Sequence, residues 1–259
     1  MRLTHFSLFS GIGGIDLAAE WAGFKTVGQC ELADYPTKVL EKHWPDVPRW
    51  RDIKDVTAEE FKGRTGLRTV DLISGGFPCQ PFSMAGNQKG KKDNRYLWPE
   101  MLRVIREIKP GWVLGENVAG LLSNDEGKSF ETVIKGLENS EYEVLPVLSP
   151  ACNYGASFEG KRIFIVATSK GSRYRGCSSE KLGTFLWELV TKEQGRNKVW
   201  GETERRVIQS VRTQKAIPKD LRVNYGFPDW VDRIKCLGNT VVPQQVYPIL
   251  RAIVNISKE

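Results

Sequence analysis

The 259-residue chain is short of the side chains that most metal and hydrolase chemistry needs. It has two histidines, His5 and His43, which supply neither a histidine metal cage nor a well-provisioned Ser-His-Asp triad. Its five cysteines, Cys30, Cys79, Cys152, Cys177 and Cys236, are odd in number and scattered, with no C-x-x-C pair. That spacing points away from a disulfide framework and from a zinc site, so no metal is expected. No run approaches the ~18 consecutive apolar residues of a membrane span. The opening Met-Arg-Leu-Thr-His-Phe-Ser-Leu-Phe has no apolar core followed by a small-residue cleavage site. Internal repeats and low-complexity tracts are also missing. A soluble globular protein with no membrane partner and a cytoplasmic address is expected.

What is present is a composition of 40% hydrophobic and 27% charged residues, enough for one sizeable core and a small satellite lobe. The net charge of +7 is unevenly placed. Between Gly171 and Arg222 twelve Lys/Arg stand against six Asp/Glu, so this stretch holds +6 of the total. A localised basic lobe is the footprint of a polyanion binder, and equally of a solvated lysine-rich surface.

Short apolar runs alternate with helix-period segments over the first two-thirds of the chain, which predicts an α/β fold on a parallel sheet. Strands are expected at residues 5–9, 26–30, 70–74, 112–115, 142–147 and 162–167. Helices are expected at residues 15–22, 36–43, 97–108, 130–137 and 244–254. Residues 168–224 are polar, basic and mostly without period. The predicted organisation is a main α/β domain over 1–167, a small lobe over 168–224, and a segment over 225–259 that completes the first domain.

Three places carry chemistry. The first strand runs into Phe9-Ser-Gly-Ile-Gly-Gly, where glycines let backbone approach a ligand at the positive end of a helix. A tight turn explains such glycines equally well, but Glu31 at the end of the second strand adds a carboxylate able to accept both hydroxyls of a ribose. The pair favours an adenosyl ligand. The second place is Cys79, directly after a strand and in a loop of glycines and prolines at the carboxyl edge of the sheet. Lone cysteines are usually inert core residues; the polar neighbours Gln80 and Ser83 argue for a nucleophile here. Third, Glu116 ends the strand that follows, so adjacent parallel strands deliver both residues to one edge. A carboxylic acid facing a nucleophile is a general-acid arrangement if its pKa is raised. As a structural alternative, Glu-Asn at a strand end caps a helix or turn.

Gly75-Gly-Phe-Pro-Cys-Gln-Pro-Phe-Ser83 together with Glu116-Asn-Val118 resembles the signature pair of the cytosine-5 DNA methyltransferases. The resemblance spans roughly residues 4–167 and 225–250. It implies a Rossmann-like S-adenosylmethionine-dependent methyltransferase sheet with a small target-recognition lobe. It also implies S-adenosylmethionine as cofactor and S-adenosylhomocysteine as product. By this resemblance Phe9, Gly11, Ile12, Gly13, Glu31, Leu32, Asp52, Ile53, Gly76, Pro78, Leu97, Asn239 and Val241 are cofactor contacts. Residues 80–95 correspond to a mobile catalytic loop, whose Gln80, Ser83, Lys89, Lys91, Lys92 and Arg95 would meet DNA. Asn117 is grouped with them, or orients the site. Double-stranded DNA is the implied partner of a monomer, with a cognate restriction endonuclease as a further expected partner. The address becomes the cytoplasm of a bacterial or phage-infected cell.

One motif departs from the family. Where a Gln-x-Arg-x-Arg segment is usual, this chain has Phe158-Glu-Gly-Lys-Arg162, so Arg162 matches the last arginine while Phe158 and Gly160 replace the glutamine and first arginine. The implied chemistry is extrusion of the target nucleotide and addition of the Cys79 thiolate to cytosine carbon 6. Glu116 donates to N3 and Arg162 holds the 2-oxo group. Rival readings are the tRNA-cytosine branch of the same fold and a catalytically weakened DNA-binding homologue. A nucleotide-dependent oxidoreductase, which leaves the cysteine loop unexplained, is a distant third.

Overall fold

The computed structural model describes residues 2–78, 96–156, 158–171, 180–184 and 240–258. Seven strands form one sheet: β1 (Thr4–Leu8), β2 (Lys25–Cys30), β3 (Arg49–Trp50), β4 (Leu72–Gly76), β5 (Trp112–Val118), β6 (Tyr142–Ser149) and β7 (Arg162–Ser169). Their spatial order is β3-β2-β1-β4-β5-β7-β6. The first five in that order are mutually parallel, and β7 is antiparallel to both β5 and β6. The all-parallel sheet expected from the sequence is therefore corrected at one edge. Among its described residues the link between β6 and β7 contains only the 3₁₀ turn Ala151–Tyr154, and without a crossover helix the strand returns antiparallel.

Among the described residues, the helices flanking the sheet include α1 (Gly14–Ala22), α2 (Asp34–His43), α3 (Ala58–Thr65), α4 (Trp98–Ile108), α5 (Lys128–Glu138) and α6 (Pro243–Ile256). Alternation along the strands divides the core into two layers. Phe6, Ile73, Val113 and Ile165 pack with Met101, Val104, Ile105 and Ile108 of α4 on one face. Leu72, Leu114, Phe164 and Val166 pack with Ala18, Ala22, Ile249 and Ile253 on the other. The apolar stripe Ile15, Ala18, Ala19, Ala22 is buried where α1 lies against α6. Small alanines at this spacing allow close helix approach.

Sequence periodicity misses β3, which is two residues long, and α3, which buries only Phe61. A local signal for α3 was available: Thr57 caps the helix by accepting from Glu60 N at 3.2 Å, and Gly66 ends it in a left-handed conformation. Among the described residues no helix is long and apolar enough to cross a membrane.

The chain winds outward from β1 through β2 to β3, then returns to place β4 on the opposite side of β1. This reversal is a topological switch point. There the loops after neighbouring strands diverge and leave a crevice at the carboxyl edge, the preferred ligand position of open α/β sheets.

Candidate active site

The crevice is built first from the turn between β1 and α1. Phe9, Gly11 and Gly13 all have left-handed backbones, with φ of 51°, 55° and 87°. Glycine satisfies that geometry without strain, whereas Phe9 must be held in it. The turn is clamped from below by Ser10 N, which donates to Cys30 O at 3.0 Å. Glu31 clamps it from the side: its Oε2 accepts from Gly11 N and its Oε1 from Ala33 N, both at 2.8 Å. One carboxylate thus ties the loops after β1 and β2 together while each oxygen keeps further acceptor capacity.

A buried network supports this turn from behind. Asp16, in the first turn of α1, accepts from Ser7 Oγ and Gln29 Nε2, each at 2.9 Å. Burial pushes its carboxyl pKa up to about 6 against those two hydrogen bonds. Gln29 in turn accepts from Arg49 Nε at 3.1 Å. On β1, His5 lies between Thr26 Oγ1 at 3.2 Å and Ser74 Oγ at 2.7 Å. Burial lowers its pKa to about 3, so it is neutral at pH 7.

These loops enclose a cavity of about 560 Å³, a size suited to a small-molecule ligand. Of the residues expected to hold cofactor, Phe9, Gly11, Ile12, Glu31, Leu32, Gly76, Pro78, Leu97 and Val241 line it. Asp34, Tyr35, Pro36 and Thr240 line it as well and were not foreseen. Gly13, Asp52 and Ile53 do not. A Cβ on Gly13 would come within 2.4 Å of the Trp44 ring, so that glycine serves packing. Asp52 accepts from Lys54 N at 2.9 Å to cap a 3₁₀ turn, and Ile53 is buried in the core. Gly14, overlooked in the sequence, lets Thr240 and Val241 close against the turn: its Cβ would lie 2.6 and 2.8 Å from them.

The opposite wall of the cavity holds Glu116. It is the fifth residue of β5 and pairs with Gly76 of β4, where a Cβ would sit 2.8 Å from Glu116 Oε2. Glycine at 76 therefore admits the carboxyl. Burial pushes the Glu116 pKa up to about 7, opposed by the Arg162 guanidinium, whose Nη1 lies 3.4 Å from Oε1. Oε1 itself is buried without a hydrogen-bond partner. A buried oxygen without a donor is costly unless it binds a proton or a ligand. Sheet register explains the pairing of these two residues, since Val118 of β5 stands opposite Arg162 of β7.

Strand β5 continues through Glu116 and Asn117, which excludes the cap-or-turn alternative for this dipeptide. Asn117 is 5% exposed; its Nδ2 donates to Phe77 O and its Oδ1 accepts from Val118 N, both at 2.9 Å. Its amide is committed inward, to the backbone of Phe77 and Val118. Among the described cysteines, Cys30 is buried with its thiol pushed up to about 12, and Cys152 is exposed. Cys79, Gln80, Ser83, Lys89, Lys91, Lys92, Arg95 and Asn239 lie outside the described residues, as does most of the basic lobe.

A mixed α/β sheet with a ligand crevice at its switch point, one wall carrying Glu31 and the other Glu116, defines a small-molecule-binding α/β domain. Residues 3–226 match the family described as C-5 cytosine-specific DNA methylase, and the chain belongs to that family. It is 45% identical over 140 residues to the type II methyltransferase M.PspPI of Psychrobacter sp. (strain TA137), covering 53% of this chain and 32% of that protein. It is 28% identical over 225 residues to the type II methyltransferase M.HhaI of Haemophilus parahaemolyticus, covering 85% and 67%. The chain spans between 32% and 46% of the first three curated relatives it matches. A protein described as a "putative DNA modification methyltransferase" encoded within an Escherichia coli prophage shares 28% identity at a TM-score of 0.57, over 65% of this chain and 47% of that one. Spodoptera frugiperda DNMT2, at 15% identity and TM-score 0.63 over 99% and 100% of the two chains, shares the fold.

Proposed function

We propose that the protein is a DNA (cytosine-5)-methyltransferase that uses S-adenosylmethionine and acts on double-stranded DNA through a covalent Cys79 adduct. The observation that carries this reading is a shared cavity bounded by Glu31 on one side and by Glu116 and Pro78 on the other. Cofactor anchor, proton donor and the residue preceding the nucleophile share one space.

The residues present suit an adenosyl ligand. Glu31 is positioned by two backbone N–H groups and retains acceptor capacity for hydroxyls, while Phe9, Ile12, Leu97 and Val241 provide apolar walls. When bound, S-adenosylmethionine supplies an electrophilic methyl group on a sulfonium. The protein's own contribution is to make cytosine a nucleophile. Cys79 adds as thiolate to carbon 6, and Glu116, held near half-protonation at pH 7 by burial, gives a proton to N3. Arg162 faces the same carboxyl and holds the 2-oxo group. Asn117 fixes Phe77 O two residues ahead of Cys79. The basic stretch 171–222 supplies the phosphate-facing lobe, and the relatives' type II names support a restriction-modification setting with a cognate endonuclease in the bacterial cytoplasm.

The test is transfer of labelled methyl to duplex DNA by the full chain, with tRNA as competitor substrate and Cys79→Ser as control. Transfer to cytosine in duplex DNA, lost in the variant with cofactor binding intact, is expected. Normal methylation by Cys79→Ser, or transfer to tRNA alone, overturns the assignment.

A further inference from the structure

Six large apolar side chains are markedly exposed among the described residues: Trp21, Leu32, Val118, Leu122, Leu148 and Phe158. Scattered singly, such residues need no explanation. These are not scattered. Leu32 follows the end of β2, Val118 ends β5, Leu122 lies in the turn after it, and Leu148 stands next to the end of β6. Phe158 precedes the first residue of β7, whose antiparallel course starts at that same edge. Five of the six therefore occupy the carboxyl edge of the sheet that carries Glu116, while Trp21 sits elsewhere, paired edge-on with Tyr247.

Phe158 is the aromatic among the five, and it is 57% exposed. Its presentation is built. A Cβ at Gly160 would fall 2.6 Å from Phe158 Cε2 and 2.9 Å from Ala151 Cβ, so the ring lies over a glycine that has no room for a side chain. Gly160 also has φ of 48°, a conformation suited to glycine. The segment is pinned from below: buried Gln245 of α6 donates to Ser149 O and, at 2.9 Å, to Gly160 O, and Ala151 N donates to Glu159 O at 2.8 Å. The two departures from the family's Gln-x-Arg-x-Arg segment are consequently one feature. A ring at 158 requires the glycine at 160, and together they replace two polar side chains by one outward aromatic face, four residues from Arg162.

We propose that Phe158 is a base-stacking contact: its ring packs against a nucleobase of the DNA at the carboxyl edge of the sheet, four residues before Arg162. The proposal rests on the function argued above. An exposed aromatic at this edge gains a stacking partner when a base leaves its stack. Base flipping exposes π-faces there, and aromatic side chains bind them without reading sequence. Stacking also substitutes for some of the polar base positioning that Phe158 and Gly160 remove.

Full-length wild type, Phe158→Ala, Phe158→Trp and the control Trp21→Ala are compared on a mixed-sequence duplex. Phe158→Ala is expected to raise KM for the duplex about 10-fold, within the range for losing one base–aromatic contact. KM for S-adenosylmethionine and the salt slope of duplex binding stay unchanged, because no phosphate contact is lost. Phe158→Trp recovers most of the loss, and Trp21→Ala matches wild type. Unchanged duplex KM and kcat in Phe158→Ala overturn the proposal. So does a rise in both KM values with a lowered melting temperature and no recovery by tryptophan, which marks a packing residue. If wild type transfers no methyl to DNA, the function assignment fails, and stacking is judged on fluorescence-anisotropy affinity for the same duplex. Equal affinity of wild type and Phe158→Ala then overturns it, and weaker affinity of the variant sustains it.

Discussion

Glu31 and Glu116 line the same cavity from opposite walls and live in opposite environments. Glu31 is half-buried and receives two backbone N–H groups, one from each loop it joins. Glu116 is 7% exposed, has one oxygen with no hydrogen-bond partner, and faces a guanidinium at 3.4 Å. The contrast separates two uses of a carboxylate. Satisfied by fixed donors, it becomes a rigid anion that positions a ligand. Buried, with one oxygen lacking a hydrogen-bond partner, it has its pKa raised towards neutrality, the setting suited to a general acid.

The contrast breaks most sharply at Glu116. Glu116→Gln keeps the shape but cannot donate an acidic proton, and turnover is expected to fall by roughly 10²–10⁴-fold, the usual contribution of general acid–base catalysis. Cofactor affinity, measured by calorimetry, is expected to stay at the wild-type value. The wild-type rate should decline as pH rises through about 7, the raised pKa of Glu116, and this limb should vanish in the variant. Stability tests the same point with a definite sign. The folded pKa of Glu116 exceeds the ordinary value of 4.5, so its contribution is full below that value and is lost as pH rises towards about 7. Glu116→Gln should therefore melt no lower than wild type at pH 8.

Glu31→Ala is expected to do the reverse. It removes two charge-assisted backbone hydrogen bonds along with the ligand contact, and cofactor Kd should rise by roughly 10–100-fold. At saturating cofactor most of kcat should survive; a variant that binds normally but cannot turn over would erase the distinction between the two carboxylates.

Asn117→Ala should have a smaller effect, in kcat. It leaves Phe77 O and Val118 N without their partners, which costs about 1–3 kcal/mol of local stability. Duplex turnover should fall while cofactor Kd does not change. Equal loss of both would place Asn117 in general packing.

The smallest effect is expected at His5. Its folded pKa of about 3 lies below the ordinary 6.5, so the folded state binds fewer protons than the unfolded one in that window. Stability is lost as pH falls from 6.5 towards 3. His5→Gln should flatten the decline of melting temperature between pH 6.5 and 5; an unchanged slope would assign acid sensitivity to other groups.

Much of this site was readable in the amino-acid sequence because its parts are local. Glycine turns, strand ends and the carboxylates Glu31 and Glu116 follow from short patterns, and the Pro-Cys-Gln and Glu-Asn-Val segments carry the family resemblance. Sequence alone thus determined the family, most elements, the order of the chemical groups and the paired departure at Phe158 and Gly160. It could not decide burial, hydrogen-bond partners or register, which depend on residues distant in the chain. The antiparallel β7 places Arg162 against Glu116 across 46 residues. Tertiary packing likewise withdraws Asn117 from solvent, assigns Gly13 to Trp44, and lays the Phe158 ring over Gly160. The proton on Glu116 is the clearest case: a glutamate's chemistry is written in the sequence, but its pKa is set by what the fold leaves around it.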